Sequence, residues 1–251
     1  MKKHHAVSVI IPVYNGELYL AESIQSVLDQ TFQPAEIIVV NDGSIDTTAQ
    51  IVANLADAAS VPIRYVYQTN HGPASARNRG LELSIGEFIA FQDADDLWSH
   101  DKLSLQMALF DPLLSVVLGY TRLVLKTSNG IVPPKGPWAE PRLLPHLQAG
   151  LFRYDVFERI GVFDESLRCG EDLDWYLRAL EKDMKILTHT DTVVFYRRHR
   201  ANLTCDWDMG QQILITIKRS LVRRRQFSGQ EVGVFLAKFR KLRNPMHNGV
   251  L

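Results

Sequence analysis

Short β-branched runs alternate with helix-periodic segments over the first hundred residues, and this alternation limits how the chain can fold more than any other feature. The predicted strands are the runs at residues 7–11, 36–40, 63–67 and 87–91. The first helix between them is predicted by apolar residues at i, i+4, i+7 and i+8 spacing, namely Leu20, Ile24, Val27 and Leu28. Further helices are expected from about Thr47 and from Pro73. Such alternation is typical of an α/β fold with a Rossmann-like, mostly parallel sheet flanked by helices.

Loops and later elements follow from proline, glycine and periodicity. We expect the first strand to stop at Pro12, with a loop over residues 12–16, and the first helix to end near Gln30. Residues 127–145 contain five prolines and two glycines and are predicted to form a loop, which near a cleft could serve as a lid. The other predicted elements are a strand at 115–125, a helix from Glu171 or Asp172 to Glu181, and strands near Ile186 and Val194.

Length and composition limit the class of protein. A chain of 251 residues with 46% hydrophobic content can bury one substantial core, or two subdomains that share a cleft. Its longest apolar runs fall well short of the roughly 20 residues that span a bilayer. The N-terminus lacks the apolar core and cleavage site of a secretory signal. Cys169 and Cys205 are too few for a disulfide framework. These features predict a cytoplasmic protein without a membrane-spanning helix.

The net charge of zero hides a basic tail on an acidic body. Residues 211–251 contain nine Lys or Arg against Glu231, a charge of +8, so residues 1–210 carry −8. A helical apolar stripe is predicted at Ile213, Leu214, Ile217 and Leu221. Together with the basic residues, it suggests peripheral contact between residues 211–243 and an anionic membrane, at the inner face of the plasma membrane. The alternative is an ordinary solvated helix face. We expect no nucleic-acid partner.

Acidic residues follow two of the predicted strands. Asp93-Ala94-Asp95-Asp96 comes directly after the strand that ends at Phe91, and Asn41-Asp42-Gly43-Ser44 follows the second strand. Three clustered carboxylates repel one another, so an oxygen-preferring divalent cation is the best explanation for them. Sheets of this kind bind ligands at the carboxyl ends of their strands. The sequence therefore predicts a cation site suited to a phosphate-bearing substrate, with a helix-capping turn as the alternative for the aspartates.

Five motifs together resemble the family 2 inverting nucleotide-sugar glycosyltransferases of the GT-A fold. They are Val9-Ile10-Ile11-Pro12-Val13-Tyr14-Asn15, Val39-Val40-Asn41-Asp42-Gly43-Ser44, Ala76-Arg77-Asn78, Asp93-Ala94-Asp95-Asp96, and Gly161-Val162-Phe163-Asp164-Glu165 followed by Gly170-Glu171-Asp172. Their order and spacing make the resemblance specific over roughly residues 6–200. It implies a glycosyltransferase domain at 1–205, with a nucleotide-binding half at about 1–100 and an acceptor and catalytic half at about 101–205. A basic helical tail, 206–251, would follow.

The resemblance implies a donor site of nine residues: Pro12, Val13, Tyr14, Asn15, Asp42, Arg77, Asp93, Ala94 and Asp95. The face of Tyr14 can stack on a nucleobase, which contributes about 1–3 kcal/mol per base. Asp42 can accept a hydrogen bond from a base N–H. Arg77 can pair with a donor phosphate or with a cleft carboxylate. Their alternatives are an ordinary loop aromatic, an Asp-Gly turn and a surface ion pair.

The resemblance also implies a divalent metal, Mn²⁺ or Mg²⁺, that neutralises the diphosphate as the sugar leaves. Asp95 is the expected metal ligand, with Asp93 near the ribose or ligating through water. Related enzymes use a histidine after the last core strand, which here is His199. Neutral imidazole is able to bind Mn²⁺. The alternative for His199 is a solvated or hydrogen-bonded histidine, and its neighbouring arginines are candidates for diphosphate binding.

Asp172 matches the residue that acts as general base in the family, and an inverting transfer needs such a base near the acceptor hydroxyl. Glu171 is expected to orient the acceptor, although the two roles could be exchanged. Both carboxylates begin a helix, so a purely structural role at the helix N-terminus is the alternative.

Some features depart from the family pattern or favour a narrower reaction. Asn41-Asp42 replaces a pair of aspartates, and Gln92 replaces a more common apolar residue. The chain lacks the Gln-x-x-Arg-Trp signature and membrane helices of polymer synthases, which favours transfer of a single sugar.

The expected reaction moves that sugar from a nucleoside diphosphate donor, with UDP preferred, to a hydroxyl of a glycan or lipid-linked precursor. The alternatives are a sugar-1-phosphate nucleotidyltransferase and a non-catalytic module that binds nucleotide sugars.

Overall fold

The computed structural model describes residues 3–127, 130–136, 138–167, 169–199, 209–224 and 249–250. The strands in these ranges are β1 (Lys3–Val13), β2 (Glu36–Asp42), β3 (Ile63–Gln68), β4 (Gly86–Phe91), β5 (Leu97–Trp98), β6 (Val116–Thr127), β7 (Gly130–Val132), β8 (Gly150–Arg153), β9 (Ile186–Arg197) and β10 (Gly249–Val250). The helices are α1 (Leu20–Leu28), α2 (Thr48–Ala58), α3 (Pro73–Leu83), α4 (Lys102–Leu109), α5 (Asp155–Ile160), α6 (Glu171–Glu181) and α7 (Met209–Arg224), with a 3₁₀ turn at Leu147–Ala149.

The strands form a sheet in the order β10-β9-β6-β8-β4-β1-β2-β3, with β5 paired to β9 and β7 to β6. β1 lies parallel to both β2 and β4, and β6 lies parallel to β9. β8 runs antiparallel between β4 and β6. The strands β1, β2, β4, β6 and β9 therefore point the same way, and their carboxyl ends meet at one edge, where open α/β sheets bind ligands. The predicted α/β fold with a mostly parallel sheet is confirmed.

Burial of β1 and β2 on both faces makes them the centre of the core. Every position of β2 is buried, as expected of a parallel strand covered by helices on both sides. Helix α3 packs against these strands through small residues such as Ala74 and Ala76. A Cβ atom added at Gly80 would lie 2.3 Å from Cγ2 of Ile10, so glycine is what allows this close approach. The approach brings Arg77, on the same helix, to the carboxyl edge of the sheet.

The prediction that the first strand stops at Pro12 is wrong, because β1 continues to Val13 and pairs with β2 through that residue. Proline is tolerated here for a specific reason. The carbonyl of Ile10 accepts a hydrogen bond from the backbone of Gln92, so Ile10 and, two residues on, Pro12 face the β4 side of the strand. β4 ends at Phe91, so no strand carbonyl there requires the N–H that proline lacks.

Three other boundaries differ from the predictions. Helix α1 ends at Leu28, two residues before Gln30, which donates its side-chain amide to the carbonyls of Ser26 and Ser99. The two strands predicted near Ile186 and Val194 are one strand, β9. Within the predicted loop 127–145, β7 pairs antiparallel with β6, and Arg142 forms a β-bridge to Thr121. The proline-rich segment is therefore held against β6.

Helix α7 docks with its polar face inward, which the apolar stripe did not predict. Ser220 is buried and donates a hydrogen bond to Glu181 of α6. Arg223 binds Glu181 at 2.8 Å and Asp174 at 3.2 Å. Leu214 and Leu221, by contrast, are 67% and 52% exposed, and Ile217 is also exposed. The side chain of Ile213 and residues 225–248 of the tail lie outside the described parts. None of the described helices is both long and apolar enough to cross a membrane.

Candidate active site

Arg77 joins two carboxylates that are far apart in the sequence. Its Nη2 donates to Oδ1 of Asp93 at 2.9 Å, and its Nη1 donates to Oε1 of Glu171. Arg77 is 8% exposed and Glu171 6%, so this is a buried ion pair, unlike a solvated surface bridge. Burial disfavours the charged guanidinium, but the charges of Glu171 and Asp93 outweigh it and raise the pKa of Arg77. Of the two expected partners of Arg77, the structure shows the cleft carboxylates.

This ion pair places Asp172 beside the aspartate motif. Asp172 begins α6 together with Glu171, after Gly170, whose φ of 80° lies in the left-handed region. Oδ1 of Asp172 accepts a hydrogen bond from the backbone N–H of Leu173 at 2.7 Å. Burial and the charge of Asp93 raise the pKa of Asp172, whereas Arg77 and backbone hydrogen bonds lower it, and the net shift is upward. A carboxylate with a raised pKa is better matched to accepting a proton near neutral pH.

Glu171 is arranged differently from its neighbour. Its carboxylate is bound by the guanidinium of Arg77, although burial and the charge of Asp172 still raise its pKa above the usual value. A carboxylate held by an arginine is poorly placed to take a proton from a substrate. The geometry therefore favours Asp172 as the base and Glu171 as the group that fixes Arg77.

Within the aspartate motif, Asp93 contacts Arg77, whereas Asp95 contacts His199. Nε2 of His199 lies 3.0 Å from Oδ2 of Asp95, and the imidazole stacks on the ring of Tyr19 with centroids 4.6 Å apart. Burial and the charge of Asp93 raise the pKa of Asp95, against the lowering effect of His199. Asp95 lies two residues before β5, and β5 pairs antiparallel with β9 through Leu97 and Phe195, so this pairing brings Asp95 next to His199.

The structure shows this contact as a hydrogen bond, the alternative expected for His199, and the same two atoms are spaced so that they could also bind a divalent cation. Ligands at 2.0–2.1 Å in adjacent octahedral positions lie about 3.0 Å apart, which is the separation of these two atoms. Among the described residues, no group of three or more His, Cys, Asp or Glu converges as a complete metal site. Mg²⁺ and similar ions commonly take one or two protein ligands and complete their shell with phosphate and water. Two protein ligands are therefore sufficient for the expected chemistry.

Asp96 and Arg197 hold Asp95 and His199 in place, and the sequence interpretation missed these roles. Asp96 is fully buried and accepts the backbone N–H of Arg197 at 2.7 Å and the amide of Gln148. Burial, together with the charges of neighbouring aspartates, raises its pKa well above the usual value. The guanidinium of Arg197 binds Glu22 and the backbone carbonyl of Asp95.

The expectation that Arg197 binds diphosphate is therefore wrong, because its side chain is 1% exposed and occupied by these contacts. Arg198 is exposed, and Arg200 lies outside the described residues. A buried run of polar residues around β9 could not be recognised from the sequence, since the arginines there look like surface charges.

The predicted base-binding side has its own hydrogen-bond network. Oδ1 of Asp42 accepts from the side chain of Gln68 at 2.8 Å and from the backbone of His71 at 2.9 Å, and Oδ2 accepts from Gly72 at 2.8 Å. Three of about four acceptor positions of the carboxylate are thereby used to order the β3–α3 loop. A Cβ atom at Gly43 would lie 2.8 Å from the backbone nitrogen of Asn70. Glycine at this position therefore allows the loop after β2 to contact the β3–α3 loop closely.

The remaining predicted donor residues divide into exposed and buried positions. Tyr14 is 55% exposed, as a stacking residue requires. Pro12 and Val13 are buried in β1, so their contribution to a donor is limited to backbone atoms. Asn15 has a positive φ of 51° and accepts a hydrogen bond from the backbone of Ile45, which ties the β1–α1 and β2–α2 loops together. Ala94 is half-buried between the two aspartates and packs against the core.

Comparison with known proteins identifies the family of this chain. The family model for glycosyl transferase family 2 matches residues 8–165, more than half of the chain. The chain therefore belongs to glycosyl transferase family 2. An uncharacterized glycosyltransferase of Rickettsia typhi is 34% identical over 213 residues, covering 79% of this chain and 65% of the relative. The uncharacterized glycosyltransferase EpsJ of Bacillus subtilis is 30% identical over 216 residues, covering 79% and 62%. The chain thus spans slightly less than two thirds of these relatives.

Solved structures show the same fold. TarS of S. aureus in complex with UDP-GlcNAc has a TM-score of 0.73 and 25% identity, covering 96% of this chain and 73% of that one. The mannosyltransferase PcManGT of Pyrobaculum calidifontis, in complex with GDP-Man and Mn²⁺, has a TM-score of 0.72 and 20% identity, covering 94% and 69%. The second likeness supports the fold alone. The predicted GT-A type fold is confirmed.

Proposed function

We propose that this chain transfers a single sugar from a nucleoside diphosphate donor, preferably a UDP-sugar, to a hydroxyl of a glycan or lipid-linked precursor, with inversion. The observation that carries the proposal is the Arg77 bridge, which holds the aspartate motif and the start of α6 together. The UDP-GlcNAc complex of TarS supports UDP as the nucleotide. In this assignment residues 1–100 bind the nucleotide and residues 101–205 bind the acceptor.

Asp95 and His199 would hold Mn²⁺ or Mg²⁺, with Asp93 close to the ribose or ligating through water. The cation would supply positive charge to the diphosphate as its bond to the sugar breaks. Tyr19 supports this pair by stacking on the imidazole of His199, and Arg197 supports it through the backbone of Asp95. Both ligands would lie directly beyond strand ends and be held by these contacts, and a catalytic metal site requires such support.

Asp172 takes the proton from the acceptor hydroxyl in this mechanism. An inverting transfer places the attacking oxygen opposite the departing diphosphate, so the base and the metal ligands must face the reacting carbon from two sides. Arg77 sets this relation, since it binds Asp93 on the donor side and Glu171 next to the base. Glu171 therefore acts as a positioning residue.

Replacing Asp172 with Asn should lower kcat by about 10²–10⁴-fold, since the base is removed while the shape of the site is kept. UDP binding, measured as a thermal shift with Mn²⁺ present, should not change. In the unsubstituted protein kcat should fall with decreasing pH through a pKa above the ordinary value of 3.8, because protonated Asp172 cannot act as a base. Donor binding without turnover for any acceptor in the unsubstituted protein would instead support a non-catalytic module.

Replacing Asp95 with Asn should abolish the part of the UDP-induced thermal stabilisation that depends on Mn²⁺. At a free ligand concentration of 100 Kd that stabilisation is about 2.7 kcal/mol. The matched control is Asp101→Asn, which makes the same chemical change at an exposed residue at the start of α4. An unchanged Mn²⁺-dependent shift in the Asp95 variant would contradict the metal assignment.

A second proposal concerns residues 211–243, which we place at an anionic membrane surface on the cytoplasmic side. The supporting observation is the orientation of helix α7. Its polar side chains bind α6, whereas Leu214, Ile217 and Leu221 are exposed. Lys218 is exposed on the same helix, and the tail from residue 211 carries a charge of +8. An apolar face combined with basic charge is the arrangement that binds anionic lipid.

Sedimentation with vesicles tests this second proposal. Binding to vesicles that contain phosphatidylglycerol should exceed binding to neutral phosphatidylcholine vesicles, and a Leu214→Ser/Leu221→Ser variant should lose most of it. Leu113→Ser is the control, since Leu113 is 81% exposed but lies outside α7. Equal partitioning into both kinds of vesicle, or dimerisation through α7 without vesicle binding, would rule out the electrostatic membrane contact.

A further inference from the structure

The loop of residues 163–171 leads directly to the candidate base, and helix α3 holds both of its ends. At the first end, Asn78 accepts a hydrogen bond from the backbone N–H of Phe163 at 2.9 Å and donates one to its carbonyl at 3.0 Å. At the other end, Arg77 binds Glu171. Because Arg77 and Asn78 are adjacent, the two ends of the loop lie close together, as in the compact surface loops that often serve function.

A second helix, α7, contacts the middle of the 163–171 loop. Nη1 of Arg219 binds Oδ2 of Asp164, and both Nη atoms donate to Oγ of Ser166 at 3.3 Å. Oδ1 of Asp164 accepts hydrogen bonds from the backbone and the hydroxyl of Ser166, at 2.9 and 2.6 Å. Burial raises the pKa of Asp164, but the hydrogen bonds from Ser166 and the charge of Arg219 outweigh this effect and lower it. Arg219 therefore binds an ionised carboxylate that the loop itself has ordered.

The same turn of α7 contacts the end of the loop. Thr216 is fully buried, and a Cβ atom added at Gly170 would lie 3.7 Å from its Oγ1. Gly170 has a positive φ of 80° and directly precedes Glu171, so the chain turns into α6 against α7. Thr216 and Arg219 are three residues apart and lie on one side of the helix. α7 is thus in contact with the loop at two points, one before and one at the entry to α6.

The next turn of α7 contacts α6 further along. Ser220 donates a hydrogen bond to Glu181, the last residue of α6, and Arg223 binds Glu181 and Asp174. At 1.5 Å per residue, Glu181 lies about 14 Å along the helix from Asp172. The contact of Ser220 is therefore separate from the loop contacts that Arg219 makes.

We propose that Arg219 is a positioning residue for Asp172: it fixes the 163–171 loop to α7 and so holds the start of α6 in the orientation in which the carboxylate of Asp172 meets the acceptor hydroxyl. A displacement of about 1 Å, caused by a change away from the reacting groups, can lower a rate by about 100-fold. In this account the catalytic unit includes α7 and extends beyond the boundary expected at residue 205. The inference rests on the proposed function.

Hydrogen exchange of the full chain, followed by mass spectrometry, tests the positioning without a substrate. In Arg219→Met, the amides of residues 163–173 should exchange about 5-fold faster, which corresponds to about 1 kcal/mol in the free energy of local opening. Arg219→Lys keeps the charge and should stay within about 2-fold of the unsubstituted protein. Ser220→Ala is the matched control on the same helix and should leave these amides unchanged. Equal exchange in Arg219→Met and the unsubstituted protein would overturn the proposal.

Release of UDP from UDP-GlcNAc with Mn²⁺ present, with water as the acceptor, supplies the kinetic readout. Arg219→Met should lower kcat by about 10-fold or more and leave KM for the donor within about 2-fold, since the donor residues are untouched. Arg219→Lys should restore most of kcat, and Ser220→Ala should not change it.

The side chains of Arg219 and Asp164 are 40% and 37% exposed, and an ion pair of this kind contributes little to global stability. A purely structural role therefore predicts an unchanged kcat, and that result, even with faster exchange, would overturn the proposal. If the unsubstituted protein released no UDP while the exchange difference was present, the proposed function would be contradicted and the contact between Arg219 and the loop would stand.

Discussion

The arrangement of this site depends on one buried guanidinium. Arg77 lies on a helix that approaches β1 closely because Gly80 has no side chain, and it binds carboxylates from the end of β4 and from the start of α6. Removing one partner of a buried ion pair costs about 3–5 kcal/mol, because the other charge is left buried and uncompensated. The end of β4 and the start of α6 are thus held together at the point where, in the proposed function, a donor and an acceptor would meet.

That bridge also separates the roles of two adjacent carboxylates. Glu171 is bound by the guanidinium of Arg77. Asp172 has a raised pKa, and its carboxylate has no side-chain partner among the described residues. A second set of buried contacts acts around Asp95 and His199, where Asp96 and Arg197 fix the backbone that carries these two residues. Both sets use groups that are themselves buried, which is what keeps a catalytic constellation in one geometry.

The sequence was sufficient to predict most helices and strands, but only some of the contacts that the charged residues make. Alternating strand and helix periodicity was enough for the α/β fold, and the aspartates at strand ends were enough to locate Asp93 and Asp95. The effect of Pro12 was predicted wrongly, because whether a strand can continue through a proline depends here on where the neighbouring strand β4 ends. The burial of Arg197 depends on the pairing of β9 with β6, which local sequence does not encode. In α7, periodicity identified an apolar stripe, but ion pairs with α6 decide which face points inward.

A double-mutant cycle on Arg77 and Glu171 tests the central claim most directly. The free energies of unfolding of Arg77→Met, Glu171→Gln and the double variant would be measured by urea denaturation and compared with the unsubstituted protein. If the bridge organises the site, the two changes are strongly non-additive, with a coupling free energy of about 2 kcal/mol or more. Additivity within about 0.5 kcal/mol would show that the two side chains are energetically independent and would contradict this account.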